Sequence, residues 1–233
     1  MSDLRADRKQ NSVGDTQDVG WASVHATRTG ALFTSSWKEQ LLMEGRLFQM
    51  TVGTITGGGD LALVTGGGNG TTIDQDQPEF GVSVPNGTSL IPVEITVACQ
   101  VDMDANGELG NIVVAYDSAA AWAGDGTVTT ETAVNMITAG GVSSVASAFS
   151  ACTADITDPT VSGILAAKTT RGSDNGTAGN LAVVTLELNY APEVPIIISG
   201  PGAFYGYWGG TAAVPGVASV IWAEVPEGRF TVS

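Results

Sequence analysis

Residues 91–103 read IPVEITVACQVDM, and this stretch decides the fold. Apolar side chains occupy every second position, and polar or small residues fill the positions between them. A period of two is typical of a β-strand with one buried and one solvated face. Pro92, which cannot donate to a ladder of hydrogen bonds, indicates either an edge strand or a bend at the strand's start. The predicted buried face carries Ile91, Val93, Ile95, Val97, Cys99, Val101 and Met103.

A second alternating stretch covers residues 182–190, and weaker β-type runs recur along the chain. Turn signals such as Asn86-Gly87 and Asn175-Gly176 separate these runs. Many strands at short spacing predict an all-β fold, a jelly-roll-like antiparallel β-sandwich, as one domain over residues 35–233. Because no amphipathic stretch is long enough for a helix that covers a sheet, the two sheets are expected to pack on each other.

The start of the chain differs from the rest. Residues 1–34 are polar and lack hydrophobic periodicity, so we predict an extended N-terminal arm. Such an arm is either a loose terminus or a segment that docks on a neighbouring subunit. Residues 36–39, SWKE, match a capping box between Ser36 and Glu39, and Gly45 supplies a stop signal. One short helix is therefore predicted directly after the arm.

Positive charge almost disappears after Arg46. The residues up to that point hold equal numbers of acidic and basic side chains, so the remainder carries the whole formal charge of −15. Beyond it the cations are Lys168, Arg171 and Arg229. An acidic body repels phosphate, which speaks against direct nucleic-acid binding by the main domain. Charged residues make up only 14% of the chain, and this scarcity is typical of a surface that neighbouring subunits cover.

Two long stretches, residues 132–154 and 194–223, contain no charged residue. Each exceeds the roughly 20 residues that span a bilayer as a helix. Serine, threonine and paired glycines dilute the first stretch, and three prolines interrupt the second. No membrane span is predicted, and the first residues lack the apolar core of a signal peptide, so a soluble protein is expected.

Residues 102–108, DMDANGE, reproduce the opening of a calcium loop, D-x-D-x-N-G. The twelfth position of such a loop, normally a bidentate Glu, is Val113 here, so Glu108 or Asp117 would have to substitute. A hairpin turn at Asn106-Gly107 is the competing and favoured interpretation, because the segment follows the best strand. The candidate metal ligands are Asp102, Asp104, Asn106 and Glu108.

Residues 200–210, GPGAFYGYWGG, concentrate four aromatic side chains between glycines. Aromatic residues on a loop offer a large contact area at low entropic cost, which suits a subunit contact or stacking on a sugar. The alternative, which is the favoured interpretation, is that they fold back to cap the sandwich and are buried within the domain or the oligomer. The candidate interaction residues are Phe204, Tyr205, Tyr207 and Trp208.

The chain contains no convincing catalytic set. His25 is the only histidine and lies in the arm, and no G-x-S-x-G motif occurs. Carboxylate pairs such as Asp74 with Asp76 are ordinary in an acidic chain. Cys99 and Cys152 are expected to be reduced and buried. We therefore expect that the protein is not an enzyme and that it has no cofactor, unless calcium binds.

Two further segments of the sequence are distinctive. The first contains Trp37, Leu41, MEGR at 43–46 and Phe48. The second contains PNGT at 85–88, followed by Ile91-Pro92. These segments resemble virion structural proteins of tailed bacteriophages. The resemblance implies a β-sandwich capsid, decoration or minor head protein. It supplies no catalytic residue.

The resemblance further implies a symmetric homo-oligomer, for example a trimer, with other virion proteins as partners. Its location would be the virion, after assembly in the host cytoplasm. The alternative is a carbohydrate-binding or receptor-binding β-sandwich that uses the four aromatic residues, assisted by calcium. A hydrolase that uses carboxylates is a third class.

Overall fold

The computed structural model describes residues 5–7, 21–23, 36–55, 61–62, 64–65, 73–103, 109–138, 141–157, 159–171, 182–210 and 215–227. These residues form one helix, α1 (Trp37–Met43), and seventeen strands. The strands are β1 (Arg5–Asp7), β2 (Trp21–Ser23), β3 (Leu47–Val52), β4 (Thr54–Ile55), β5 (Leu61–Ala62), β6 (Val64–Thr65), β7 (Phe80–Val84), β8 (Thr88–Met103), β9 (Leu109–Asp117), β10 (Thr127–Glu131), β11 (Val134–Asn135), β12 (Ser147–Ala154), β13 (Gly163–Arg171), β14 (Ala182–Tyr190), β15 (Ile198–Ser199), β16 (Gly202–Gly210) and β17 (Pro215–Pro226).

Most of these strands belong to two antiparallel sheets. The six-stranded sheet has the order β10-β12-β7-β16-β9-β13. The seven-stranded sheet has the order β11-β3-β17-β8-β14, and it also includes β15, paired with β8, and β6, paired with β17. The two sheets form a sandwich, which confirms the predicted all-β fold. Within the predicted arm, β1 and β2 pair with each other.

Four strand pairs are nested along the chain: β7 with β16, β8 with β14, β9 with β13, and β10 with β12. Nested antiparallel pairs folded across two sheets are the basis of a jelly roll. The first three pairs alternate between the sheets, whereas the fourth lies in the six-stranded sheet beside β7. The topology is therefore jelly-roll-like with its innermost pair displaced.

The main core lies between the two sheets and takes side chains from both. Its largest members are aromatic: the Phe48 and Trp222 ring centroids are 6.2 Å apart, and those of Phe80 and Trp208 are 6.1 Å apart. Burial of each large apolar side chain contributes about 2 kcal/mol to stability. The buried members are Phe48, Met50, Val52, Phe80, Val82, Val84, Leu90, Ile95, Val97, Cys99, Ile112, Val114, Ala148, Leu186, Leu188, Ile198, Phe204, Trp208, Ala218, Val220 and Trp222.

Strand β8 is interrupted by a shift in register. Ile221 of β17 pairs with Glu94, but the next residue, Trp222, pairs with Pro92, which leaves Val93 as an extra residue. Such a bulge reverses the face on which later side chains lie, and it tolerates proline. The predicted single buried face is therefore wrong: Ile95, Val97 and Cys99 join the main core, whereas Ile91 and Val93 pack on the opposite side. Strand β8 as a whole is not an edge strand, because it lies between β17 and β14. At Pro92 itself, however, the pairing among the described strands is with Trp222 of β17, since β14 pairs with β8 only from Ile95 onward.

The predicted helix is confirmed together with its two end signals. The Ser36 hydroxyl accepts a hydrogen bond from the Glu39 amide at 3.3 Å, and the Glu39 carboxylate accepts one from the Ser36 amide at 2.7 Å. At the other end Gly45 has a φ of 68°, and the Arg46 amide donates to the Leu41 carbonyl at 2.9 Å. This is a Schellman motif, which satisfies carbonyl groups at the end of the helix.

Helix α1 packs on the outer face of the seven-stranded sheet. Its side chains Trp37, Leu41 and Leu42 contact a small cluster that the bulge helps to form. We expected no helix to cover a sheet face, and this expectation is wrong for part of this face. The covered cluster consists of Leu47, Ile91, Val93, Ala223 and Val225.

Within the described part of the chain, no helix has the length and apolar character needed to cross a membrane.

Replacement of Ser36 by alanine is expected to lower the free energy of unfolding by about 1 kcal/mol, because the Glu39 amide loses its acceptor. Chemical denaturation followed by tryptophan fluorescence measures the change. Glu39→Gln is the matched control, since glutamine keeps an acceptor at this helical position and should destabilise less. A Ser36→Ala variant as stable as the unchanged protein would contradict the role of the cap.

Candidate functional site

The aromatic segment is a strand and not a loop. Residues 202–210 form β16, which lies between β7 and β9 in the six-stranded sheet. Phe204, Tyr205, Tyr207 and Trp208 are all buried, with exposed fractions of 3% or less. The predicted loop is therefore wrong. The alternative of burial within the domain is the one that the structure shows, and these residues offer no exposed patch.

Strand β16 is buried on both faces. Phe204 and Trp208 point into the main core, whereas Tyr205 and Tyr207 belong to a second cluster on the outer face of the six-stranded sheet. Gly206 lies on the inner face, where a Cβ atom would come within 1.9 Å of the Phe80 ring. The glycines that suggested a loop in the sequence thus make room for large rings in a sheet.

Loops close the outer cluster. Trp122 packs on Phe149 with ring centroids 4.5 Å apart, and the Tyr207 hydroxyl donates to the Gln75 carbonyl at 3.0 Å. Burial away from water raises the pKa of Tyr205 and of Tyr207, because the phenolate would be poorly solvated there. These tyrosines are therefore neutral core residues near pH 7.

Two aspartates hold these loops in place. One Asp117 oxygen accepts from the amides of Ala119 at 2.7 Å and Ala120 at 3.3 Å, and the other accepts from the Thr160 amide at 2.9 Å. Asp117 is 1% exposed, so its carboxylate is an internal clamp. The sequence signal that could have revealed it is an aspartate followed by small residues, which favours turns closed by the side chain.

The second clamp is Asp125, whose carboxylate accepts from the Thr157 hydroxyl and from the Thr157 amide. The hydrogen bond from the Thr157 hydroxyl is the main cause of the lowered pKa of Asp125, and partial desolvation of the carboxylate acts in the opposite direction. Because the folded-state pKa is lowered, this contribution to stability is present above about pH 4 and is lost as the pH falls.

The two cysteines are free and buried, as predicted. Cys99 lies in β8 and Cys152 in β12, which belong to different sheets. Desolvation raises the pKa of each thiol to about 11. Because the thiolate is the reactive form, neither side chain is suited to nucleophilic or redox chemistry near pH 7.

The predicted hairpin at Asn106-Gly107 is wrong, because the strands on either side of it, β8 and β9, belong to different sheets. Residues 104–108 lie outside the described residues, as does His25. Asp102 is the penultimate residue of β8, and its side chain is not described. Among the described residues, no three His, Cys, Asp or Glu side chains are grouped so that they could hold a metal ion. Calcium binding by Asp102, Asp104, Asn106 and Glu108 stays a prediction.

The clearest exposed feature is a segment along one side of the sandwich, which we call the neutral edge (residues 132–138 and 141–147). It runs from β10, the outermost strand of one sheet, through β11, the outermost strand of the other, to β12. All of its residues are at least partly exposed, and none is charged. Val134, Val142 and Val145 are 46%, 56% and 55% exposed.

Asn135 joins the two legs of the neutral edge to the helix region. Its side-chain amide donates to the Gly45 carbonyl at 2.7 Å and to the Val142 carbonyl at 2.9 Å. Its side-chain oxygen accepts from the Ile137 amide at 2.8 Å. One polar side chain thus holds three separate backbone segments in register.

Glu224 anchors the second leg to the seven-stranded sheet. Its carboxylate accepts from the Val145 amide at 2.8 Å, from the Trp222 indole at 2.9 Å and from the Ser144 hydroxyl. Glu224 is 6% exposed and lies in β17. No pattern in the sequence marked Asn135 or Glu224, because the partners that make them anchors, Gly45 for Asn135 and Ser144 and Val145 for Glu224, are distant in the chain.

A shallow groove of about 470 Å³ lies between the two legs of the neutral edge. A smaller one of about 130 Å³ adjoins it, shares Val142 and Ser143, and extends to Arg46 and Glu224. The surface is too open to enclose a small molecule, and it suits contact with another protein surface. The larger groove is lined by Thr132, Ala133, Val134, Asn135, Val142, Ser143, Ser144 and Ala146.

The opposite side of the sandwich is built differently. There β13 and β14 are the outermost strands of the two sheets, and the Lys168 ammonium donates to the Glu187 carbonyl at 2.6 Å. A lysine on an edge strand discourages pairing with another sheet. Ile164 on β13 is 62% exposed but lies on a strand that also carries positive charge.

Comparison of the chain with models of known protein families found no match, and comparison with curated proteins found none either.

Asp117→Asn is expected to lower the free energy of unfolding by about 2 kcal/mol, because the amide nitrogen cannot accept from a backbone N–H as the carboxylate does. Chemical denaturation measures the loss, and hydrogen exchange should show earlier opening at Thr160. Glu193→Gln, at an exposed position, is the control and should change stability little. If both variants were equally stable, Asp117 would not be a clamp.

Proposed function

We propose that this chain is a structural protein of a viral particle and that it acts by symmetric self-association rather than by catalysis. The observation that carries the proposal is the nature of the exposed surface. Among the residues that the structure describes, seven large apolar side chains remain more than 40% exposed on a sandwich whose core is well filled. They are Met43, Val134, Val142, Val145, Ile164, Val194 and Ile197.

The closed faces of the sandwich support this proposal. Helix α1 covers part of one outer face and loops cover the central part of the other. Three of the exposed apolar residues, Val134, Val142 and Val145, lie together in the neutral edge, where contact with another molecule would bury them. Large exposed apolar patches on soluble proteins mark interaction sites more often than chance.

The phage assignment rests on the resemblance at residues 37–48 and 85–92. It places the protein in the virion as a capsid, decoration or minor head protein, with copies of itself and other virion proteins as partners. The acidic body, with its formal charge of −15, would then face away from the packaged genome.

A carbohydrate-binding or receptor-binding module is the alternative. The four aromatic residues that suggested it are core residues and cannot stack on a sugar ring. Such a module would need a different binding surface, so we give preference to self-association.

Negative-stain microscopy and a measurement of mass in solution test the proposal together. We expect closed rings, trimers or larger symmetric particles, because a subunit of a virion must contact copies of itself. Bovine serum albumin at the same concentrations is a suitable mass control. A monomer at all concentrations, with no regular particle on the grid, would contradict the proposed function.

A further inference from the structure

We infer that the neutral edge, residues 132–138 and 141–147, is the surface on which a second copy of this chain docks. The inference rests on the proposed self-association and identifies where it takes place. Its starting point is a contrast between the two stretches that lack charge.

From residue 202 onward, the absence of charge in the stretch 194–223 has an internal cause. Residues 202–209 are all buried in β16, and β17 alternates into the main core. A charge at these positions would have to leave water, which is strongly unfavourable. Burial within the chain therefore explains the lack of charge in β16 and on the core-facing side of β17, whereas residues 194–201 are mostly exposed or half-buried.

The neutral edge has no such explanation. Ala133 and Ala146 pack against the main core, but no residue of the neutral edge is fully buried. Val134, Val142 and Val145 are about half exposed, so charged side chains could point into water at those positions at little cost. Yet the segment carries none, in a protein whose formal charge is −15. Burial in an assembly accounts for this composition, because the cores of interfaces are depleted of charged residues.

Electrostatics favours a second copy as the occupant. Two chains of formal charge −15 repel each other, and the repulsion is weakest where neither presents acidic groups. A basic partner would gain little from this surface, because its own residues carry no carboxylate and the adjoining Glu224 is 6% exposed and already accepts three hydrogen bonds. A like-charged partner that has a neutral apolar surface of its own fits the neutral edge, and a second copy of this chain is such a partner.

The neutral edge is also held in shape before any contact forms. Asn135 and Glu224 fix its two legs through side-chain hydrogen bonds. Little conformational freedom is then lost when a partner binds, which favours association. The neutral edge continues toward helix α1. A Cβ atom on Gly45 would lie 3.7 Å from Ile137 of the neutral edge, and Met43, two residues before Gly45, is 59% exposed.

The test is the association of a full-length double variant, Val142→Glu with Val145→Glu, measured by sedimentation over a range of concentrations. Both side chains are more than half exposed, so folding should be preserved, and thermal melting checks this. We expect the association constant to fall by about tenfold or more, because charges would be buried at the contact without partners.

The matched control is Ile164→Glu, an equally exposed apolar residue on the opposite side of the sandwich. It should associate like the unchanged protein. If the double variant associates as strongly as the unchanged protein, or if Ile164→Glu weakens association as much, the inference is wrong and the proposed function stands. If the unchanged protein never associates, both are wrong.

Hydrogen exchange on the unchanged protein provides a second measurement that needs no variant. Amides of residues 132–147 should exchange more slowly at concentrations where the protein associates than at high dilution. Amides of β13 should not differ between the two conditions. Equal exchange of the neutral edge at both concentrations would overturn the inference even if the double variant failed to fold.

Discussion

Packing of large side chains on both faces of the six-stranded sheet is the constraint on which the rest of the structure depends. β16 places Phe204 and Trp208 on one face and Tyr205 and Tyr207 on the other, and all four are buried. The seven-stranded sheet covers the first face, and loops must cover the second. The clamps at Asp117 and Asp125 are the means by which polar loops stay closed over an apolar surface. With its faces so occupied, the sandwich has its sides left for contact with other molecules.

The fold class could be predicted from the sequence because it depends on local patterns. The alternation in residues 91–103 identified a strand, and the capping box at Ser36 identified the helix, since both signals involve residues close in the chain. The bulge at Val93 could not be predicted, because it is set by the pairing of β8 with β17, more than a hundred residues later. The prediction of a hairpin at Asn106-Gly107 was wrong for a related reason, because turn residues do not specify whether the next strand joins the same sheet.

The aromatic segment shows how glycine can mislead. In residues 200–210 the glycines suggested a flexible loop, but Gly206 lies in a strand where the Phe80 ring occupies the space of a side chain. Composition alone cannot separate these two uses of glycine. The candidate interaction residues predicted from the sequence were therefore core residues, and the exposed valines of the neutral edge were missed.

The absence of charge is equally ambiguous in a sequence. Residues 132–154 and 194–223 both lack charge in the sequence, but the structure exposes residues 132–138 and 141–147 at least partly and buries residues 202–209. The polar residues that hold the neutral edge, Asn135 and Glu224, do so through bonds to Gly45 and Val145, which only the fold brings close, so no local signal marked this role. What the sequence did show is that acidic residues are absent from both stretches.

The dependence of self-association on salt tests most directly whether acidic bodies meet through a neutral surface. Screening of like charges should strengthen such a contact, while the apolar contact itself does not weaken. We therefore expect the association constant to rise when ionic strength increases from about 0.05 M to about 0.5 M. A fall over the same range would mean that ion pairs hold the subunits together, and it would contradict contact through the neutral edge.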